Sequence, residues 1–253
     1  MLTMRPGLTA VTFDVDGTLV DSERDGHRVA FNQAFAEAGR PDRWSVNRYG
    51  ALVQVTGGRR RLEHYLQSEG MPSIEAQQTA RRLHRRKTEI FIEMVKAGHV
   101  PARPGVLELL DGLAEHDVAI HVVTTGRRAW VEPLLDGLFG LRRFGQIVTG
   151  DDVGALKPHP AAYQRLLTRS GLGAQDVVAV EDSANGLAAA LAAGLQCVVV
   201  TNDYTRCEDM DGALWVARSF TDVTVQQPVR PAPGVPPRGL TPSPCQSDVL
   251  PIA

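Results

Sequence analysis

The chain is poor in several features that would have directed its reading elsewhere. It has three cysteines in 253 residues, Cys197, Cys207 and Cys245. They are too few and too scattered for a disulfide framework, and they lack the paired spacing of a zinc site. A reducing cytoplasm is therefore the expected compartment. No run approaches the roughly 18 apolar residues that a membrane span needs, and the opening MLTMRPGLTA has no apolar stretch after its charge to serve as a secretion signal. Charge is nearly balanced, 27 basic against 29 acidic residues, so no global field draws the chain to nucleic acid or an anionic membrane. No internal repeat is visible. What is present, 43% hydrophobic and 22% charged residues, is the composition of an ordinary globular protein.

Short β-branched runs recur along the chain: Leu8 to Phe13, Val118 to Val123, Ile147 to Val148, Val177 to Val180 and Cys197 to Val200. Helical patterns separate them, over Val106 to Leu113, Trp130 to Leu138, Ala161 to Leu167 and Gly186 to Ala193. Strands alternating with helices predict an α/β fold with a doubly wound parallel sheet, whose working residues gather at the carboxyl ends of the strands. Residues 21–98 break the alternation. Arg28 to Ala38, Arg59 to Gln67 and Ala76 to Lys96 read as helices with no convincing strand between them, far more than one crossover requires. The expected organisation is a Rossmann-like core over 1–20 and 99–225 with an inserted α-helical cap domain over 21–98. Half of the 16 prolines fall between Pro228 and Pro251, which predicts a disordered or extended tail over 226–253.

Four polar clusters close strands. Asp14 and Asp16 follow the first strand, with Gly17 and Thr18 behind them. Two carboxylates one residue apart are costly unless a cation neutralises them, and oxygen donors suit a hard ion such as Mg²⁺. Asp-Gly alone would equally mark a turn. Thr124 and Thr125 follow the second apolar run, where hydroxyls could take phosphate oxygens or cap the next helix. Lys157-Pro158 precedes another helix; Glu181 and Asp182 end a core strand before Asn185-Gly186. Each cluster alone has a bland explanation. Their order along the chain does not.

Together DVDGT, Thr124, Lys157-Pro158 and Glu181-Asp182 resemble the four motifs of the haloacid dehalogenase superfamily, over about residues 8–225. The resemblance implies that Asp14 is the nucleophile of a phosphatase and that Asp16 is its general acid and base. It implies phosphate oxygens held by Thr124 and Lys157. Mg²⁺ would lie between Asp14, the Asp16 carbonyl and Asp182, with Glu181 bound to it or just behind. An acid at position 16 excludes the dehalogenase branch, whose leaving halide needs no proton. The stretch Asp21 to Asn32, Thr56-Gly57-Gly58 and Asn202 to Arg206 are similar to CbbY-like members, which implies a phosphorylated sugar as partner, xylulose 1,5-bisphosphate. By that likeness Glu23, His27, Gly57 and Gly58 meet the substrate and Arg59 holds the phosphate that is not cleaved. A monomer is expected.

Three rivals remain at this point. A β-phosphoglucomutase-like enzyme would use the same phosphoenzyme; Thr18 leans toward hydrolysis. A phosphoglycolate phosphatase would leave sugar-like cap groups unmatched, and a non-catalytic binding protein would not need every motif position filled. The Arg81-to-Lys87 run tempts toward nucleic acid, but without interleaved aromatics it reads as a solvated helix face.

Overall fold

A computed structural model describes residues 8–55 and 57–223; the expected tail lies outside them. Among the described residues six strands form one parallel sheet: β1 (Ala10–Phe13), β2 (Ala119–Val123), β3 (Phe144–Val148), β4 (Val177–Glu181), β5 (Gln196–Val200) and β6 (Trp215–Ala217), in the order β3-β2-β1-β4-β5-β6. The α/β reading of the sequence holds. β1 sits at the centre, with Phe13 level with Val122 on one side and Val180 on the other. Its neighbours are apolar in both pleat directions because both faces are covered. Val11, Phe13, Val178 and Val180 pack into one core cluster, whereas Ala10, Val177 and Ala179 enter the cluster on the opposite face. That register brings the ends of β1, β2 and β4 to one edge.

Between β1 and the helix α5 (Val106–Glu115) lie four helices: α1 (Arg28–Glu37), α2 (Val46–Val53), α3 (Gly58–Ser68) and α4 (Ser73–Lys96). They enclose a core of their own, in which Trp44 meets Phe31, Phe35, Tyr49 and Tyr65 with ring centroids 4.8 to 5.8 Å apart. α2 was not expected. Its eight residues contain Gly50, and the Ser45 hydroxyl caps its start by accepting the Arg48 N–H. β6 was not expected either, and β3 begins three residues before Ile147, where Gly145 and Gln146 interrupt the apolar pattern.

The remaining helices α6 (Arg128–Phe139), α7 (Ala161–Ser170) and α8 (Ala184–Ala192) cover the sheet. No described helix is long and apolar enough to cross a membrane. One expectation needs correcting: the Arg81-to-Lys87 run is not solvated throughout. Arg81, Arg82 and Arg85 are exposed, but Lys87 is buried, because it occupies the inward stripe of α4 shared by Leu83, Ile90 and Phe91.

Candidate active site

Asp14 is the first residue past β1, and Glu181 is the last of β4. Lys157 joins them from the loop before α7. Its Nζ donates to Asp14 Oδ1 at 2.6 Å, to Glu181 Oε1 at 2.6 Å and to the Val123 carbonyl at 2.7 Å. The Tyr163 hydroxyl donates to the same Glu181 oxygen. All three charged side chains are buried. Burial alone would lower the lysine's proton affinity, but the two carboxylates outweigh it and hold the group above its ordinary range.

Asp14, Glu181 and Asp182 each offer an oxygen, and these lie within 4.8 Å of one another. One lysine does not balance them. Burial, with repulsion from Glu181 and Asp16, pushes the Asp14 carboxyl up to about 8 despite Lys157. Asp182 is pushed well up by burial and by Asp14 and Glu181. A buried set of carboxylate oxygens short of positive charge fits a hard divalent cation. Backbone conformation serves this crowding. Gly17 has φ +83°, and a Cβ there would lie 2.2 Å from Asp182 Oδ2. A Cβ on Gly186 would lie 2.0 Å from Glu181 Oε2. Both glycines stand where acids need the room.

Asp16 differs from its neighbours. Burial would raise its carboxyl, but His27 outweighs this, and hydrogen bonds from His27 and Ser22 help to hold it below its usual range. The Ser22 hydroxyl donates to Oδ1, and His27 Nε2 lies 3.3 Å from the same oxygen. On its other side His27 Nδ1 is 2.9 Å from Lys87 Nζ. The imidazole thus bridges Lys87 and Asp16. Burial lowers Lys87 to about 8, against the pull of Glu23 and Asp16.

An open cleft of about 880 Å³, solvent at its mouth included, runs from these acids to the helical segment. Glu23, Gly57, Thr125, Asn185 and Asn202 line it, as do Asp14, Asp16, Lys157, Glu181 and Asp182. Several expected residues are placed otherwise. The Thr124 hydroxyl is buried and accepts the Gly126 N–H at 3.0 Å, and Thr125 lines the cleft. Gly58 packs toward His84 and Phe31. His27 stands behind Asp16. Arg59 does not line the cleft; it is half-exposed and lies 3.4 Å from Glu63.

The cation at the far end is Arg61, which the sequence reading passed over. Its guanidinium donates to the Tyr49 hydroxyl at 2.5 Å, to Glu23 at 3.4 Å and to the Val53 carbonyl at 3.3 Å. Burial would weaken its hold on its proton, but Tyr49 and Glu23 reverse that. Tyr49 also donates to Glu23, and Arg61 Nε has no partner. The signal lay in α3 itself. Arg61, Leu62, Tyr65 and Leu66 form its inward stripe, whereas Arg59 shares an i,i+4 column with Glu63 on the outside.

Residues 8–194 match the family model of the haloacid dehalogenase-like hydrolases. The chain belongs to that family. It is 38% identical to a protein of Rhodobacter capsulatus named CbbY, over 82% of this chain and 92% of that one. It is also 38% identical to a CBBY-like protein of Arabidopsis thaliana, covering 81% of this chain and 67% of that one. A solved structure of a CbbY variant from Rhodobacter sphaeroides, in complex with xylulose 1,5-bisphosphate, superposes with a TM-score of 0.76. The two share 35% identity, across 86% of this chain and 97% of that one. The sheet of this hydrolase carries the acids that follow β1 and close β4 at one edge.

Proposed function

We propose that the protein is a Mg²⁺-dependent phosphatase of a phosphorylated sugar, working through an aspartyl-phosphate on Asp14, with xylulose 1,5-bisphosphate as substrate. The observation that carries the reading is Lys157, bridging Asp14 and Glu181 in a buried acid cluster at one end of a cleft whose other end holds Arg61. Residues 21–98 act as the cap over that cleft. The similarity to CbbY proteins supports the substrate.

Lys157 engages Asp14 Oδ1 and leaves Oδ2 to attack phosphorus. As the bond from Asp14 forms, the ester P–O bond breaks, and Asp16 protonates the departing sugar oxygen. A phosphate dianion beside Asp16 raises its proton affinity on arrival, which offsets the pull of His27 and Ser22. In the second half Asp16, now ionised, takes a proton from water. That water attacks the same phosphorus, the bond to Asp14 breaks and inorganic phosphate leaves. Lys157 and Thr125 hold the transferring oxygens, while the buried Thr124 hydroxyl fixes the turn that presents Thr125. Asp14, Asp182 and the Asp16 carbonyl would hold Mg²⁺, with Glu181 behind, and the ion when bound offsets charge on the phosphoryl group.

Phosphate release from xylulose 1,5-bisphosphate, measured beside ribulose 1,5-bisphosphate, β-glucose 1-phosphate and phosphoglycolate, tests the whole reading. Strong preference for the first, abolished by chelator, is expected. Preference for another ester would move the substrate, and silence on all four would sink the phosphatase.

The far phosphate is assigned to Arg61 rather than Arg59. Arg61→Lys keeps the charge but loses the fork that binds phosphate with two N–H groups. It should raise KM for the bisphosphate roughly 10- to 100-fold, about 1.4 to 2.8 kcal/mol, and leave hydrolysis of p-nitrophenyl phosphate within about threefold. Arg59→Ala should change neither by more than about threefold. Equal losses on both substrates in Arg61→Lys would remove the residue from the distal subsite.

A further inference from the structure

Asp182 is the acid that the motif places last, and it is the one held from outside the motif. The loop after β5 reaches over it. Asn202 Nδ2 donates to Asp182 Oδ2 at 2.7 Å and lies 3.5 Å from the Gly17 carbonyl. The other end of the same amide is already fixed, since Asn202 Oδ1 accepts the Tyr204 N–H at 2.9 Å. An amide anchored through its oxygen has only its NH₂ to present to the acid. The loop carrying it is anchored independently. Asn202 N–H donates to Thr205 Oγ1 at 3.1 Å, the Arg206 N–H reaches the Asn202 carbonyl at 3.1 Å, and Arg103 donates to the carbonyls of Val200 and Thr201 at 3.0 and 2.8 Å. Arg103 also donates to the Gly17 carbonyl.

We propose that Asn202 is a positioning residue for the metal site: it pins one oxygen of Asp182, so that the other is presented to the cation. A neutral donor suits this task. It stabilises the ionised carboxylate without adding a positive charge that would compete with the ion. The space is closed from the other side, because a Cβ on Gly17 would lie 2.8 Å from Asn202 Nδ2 and 2.2 Å from Asp182 Oδ2. The inference rests on the assignment of Asp182 to Mg²⁺ in the proposed phosphatase.

Two substitutions in the full chain test it. Asn202→Ala removes both ends of the amide. Asn202→Ser keeps a hydroxyl that can accept the Tyr204 N–H but is too short to reach Asp182. Mg²⁺ is titrated by calorimetry without substrate, and melting is followed with and without the ion. Both variants should bind Mg²⁺ roughly 10- to 100-fold more weakly and lose most of the Mg²⁺-dependent rise in melting temperature. Wild-type Mg²⁺ affinity in Asn202→Ser would overturn the positioning role, whatever Asn202→Ala does. Asp182→Asn is the reference. If it loses Mg²⁺ binding and Asn202→Ser does not, only this inference fails. If the wild-type chain binds no Mg²⁺, the phosphatase assignment and this inference fall together.

Discussion

Asp14→Asn should abolish turnover, by at least about 10⁴-fold, and should make the metal-free protein more stable. The first half follows from chemistry, because the amide has no ionised oxygen to attack phosphorus while its volume is unchanged. The second half follows from charge. Three buried carboxylates face one lysine, and Asp14 is raised to about 8 chiefly by its burial. Its folded proton affinity exceeds the unfolded one, so the folded state binds more protons between about pH 4 and 8. Stability conferred by protonated Asp14 is therefore lost as pH rises through that window. Asparagine removes the cost, and Lys157 keeps Glu181 and the Val123 carbonyl as partners. Melting in chelator should show the variant above the wild type at pH 8.5, by roughly 2 to 8 °C for an effect of about 1–2 kcal/mol. The gap should be small near pH 5. Residual turnover within 100-fold of the wild type would take the nucleophile's role from Asp14. A variant less stable than wild type at pH 8.5 would mean that the acids are better compensated than the geometry indicates.

The parts of this site that could be found from sequence are those tied to the sheet. Each of Asp14, Thr124 and Glu181-Asp182 stands where a short β-branched run stops, and a parallel sheet can put such ends in one place only. Lys157 was legible through its motif, and its bridging of two acids needed coordinates. The helical segment was harder to read. Arg59 and Arg61 are two positions apart, so they point to different sides of α3, and only the burial of Leu62, Tyr65 and Leu66 decides which side is inward. Lys87 was hidden for the same reason: in a run of cations, its place on the Leu83–Ile90 stripe is visible only when the stripe is traced through it. α2 could not be seen because eight residues with a central glycine have little propensity of their own. Gly50 is there for the loop after β5, where a Cβ would lie 2.9 Å from the Tyr204 ring. Asn202 was noticed as part of a likeness, without a role. Its contact with Asp182 spans 20 residues, one helix and one strand, which no local pattern encodes.

Lys157→Met should be the most damaging single change to stability and should also cost rate, and its pH dependence separates charge from packing. Methionine is close in length and apolar, so it leaves Asp14 and Glu181 buried without their shared donor, and strands the Val123 carbonyl. Breaking a buried ion pair costs about 3–5 kcal/mol, which for a domain of this size lowers the melting temperature by roughly 6 to 20 °C. The wild-type lysine is held above its ordinary range. Its contribution is therefore complete at all pH below that of the free lysine and is lost only as pH rises through the folded value. In the variant the two acids relieve the strain by binding protons, which they do more readily as pH falls. The difference between wild type and variant should thus be wide at pH 8.5 and narrow at pH 5 in chelator. Added Mg²⁺ should recover part of the lost stability, since the cation and the lysine neutralise the same carboxylates, while turnover stays at least about 10³-fold down without the ammonium beside the transferring group. A melting deficit of equal size at both pH values would assign Lys157 a packing role and leave the charge balance of the site to be found elsewhere.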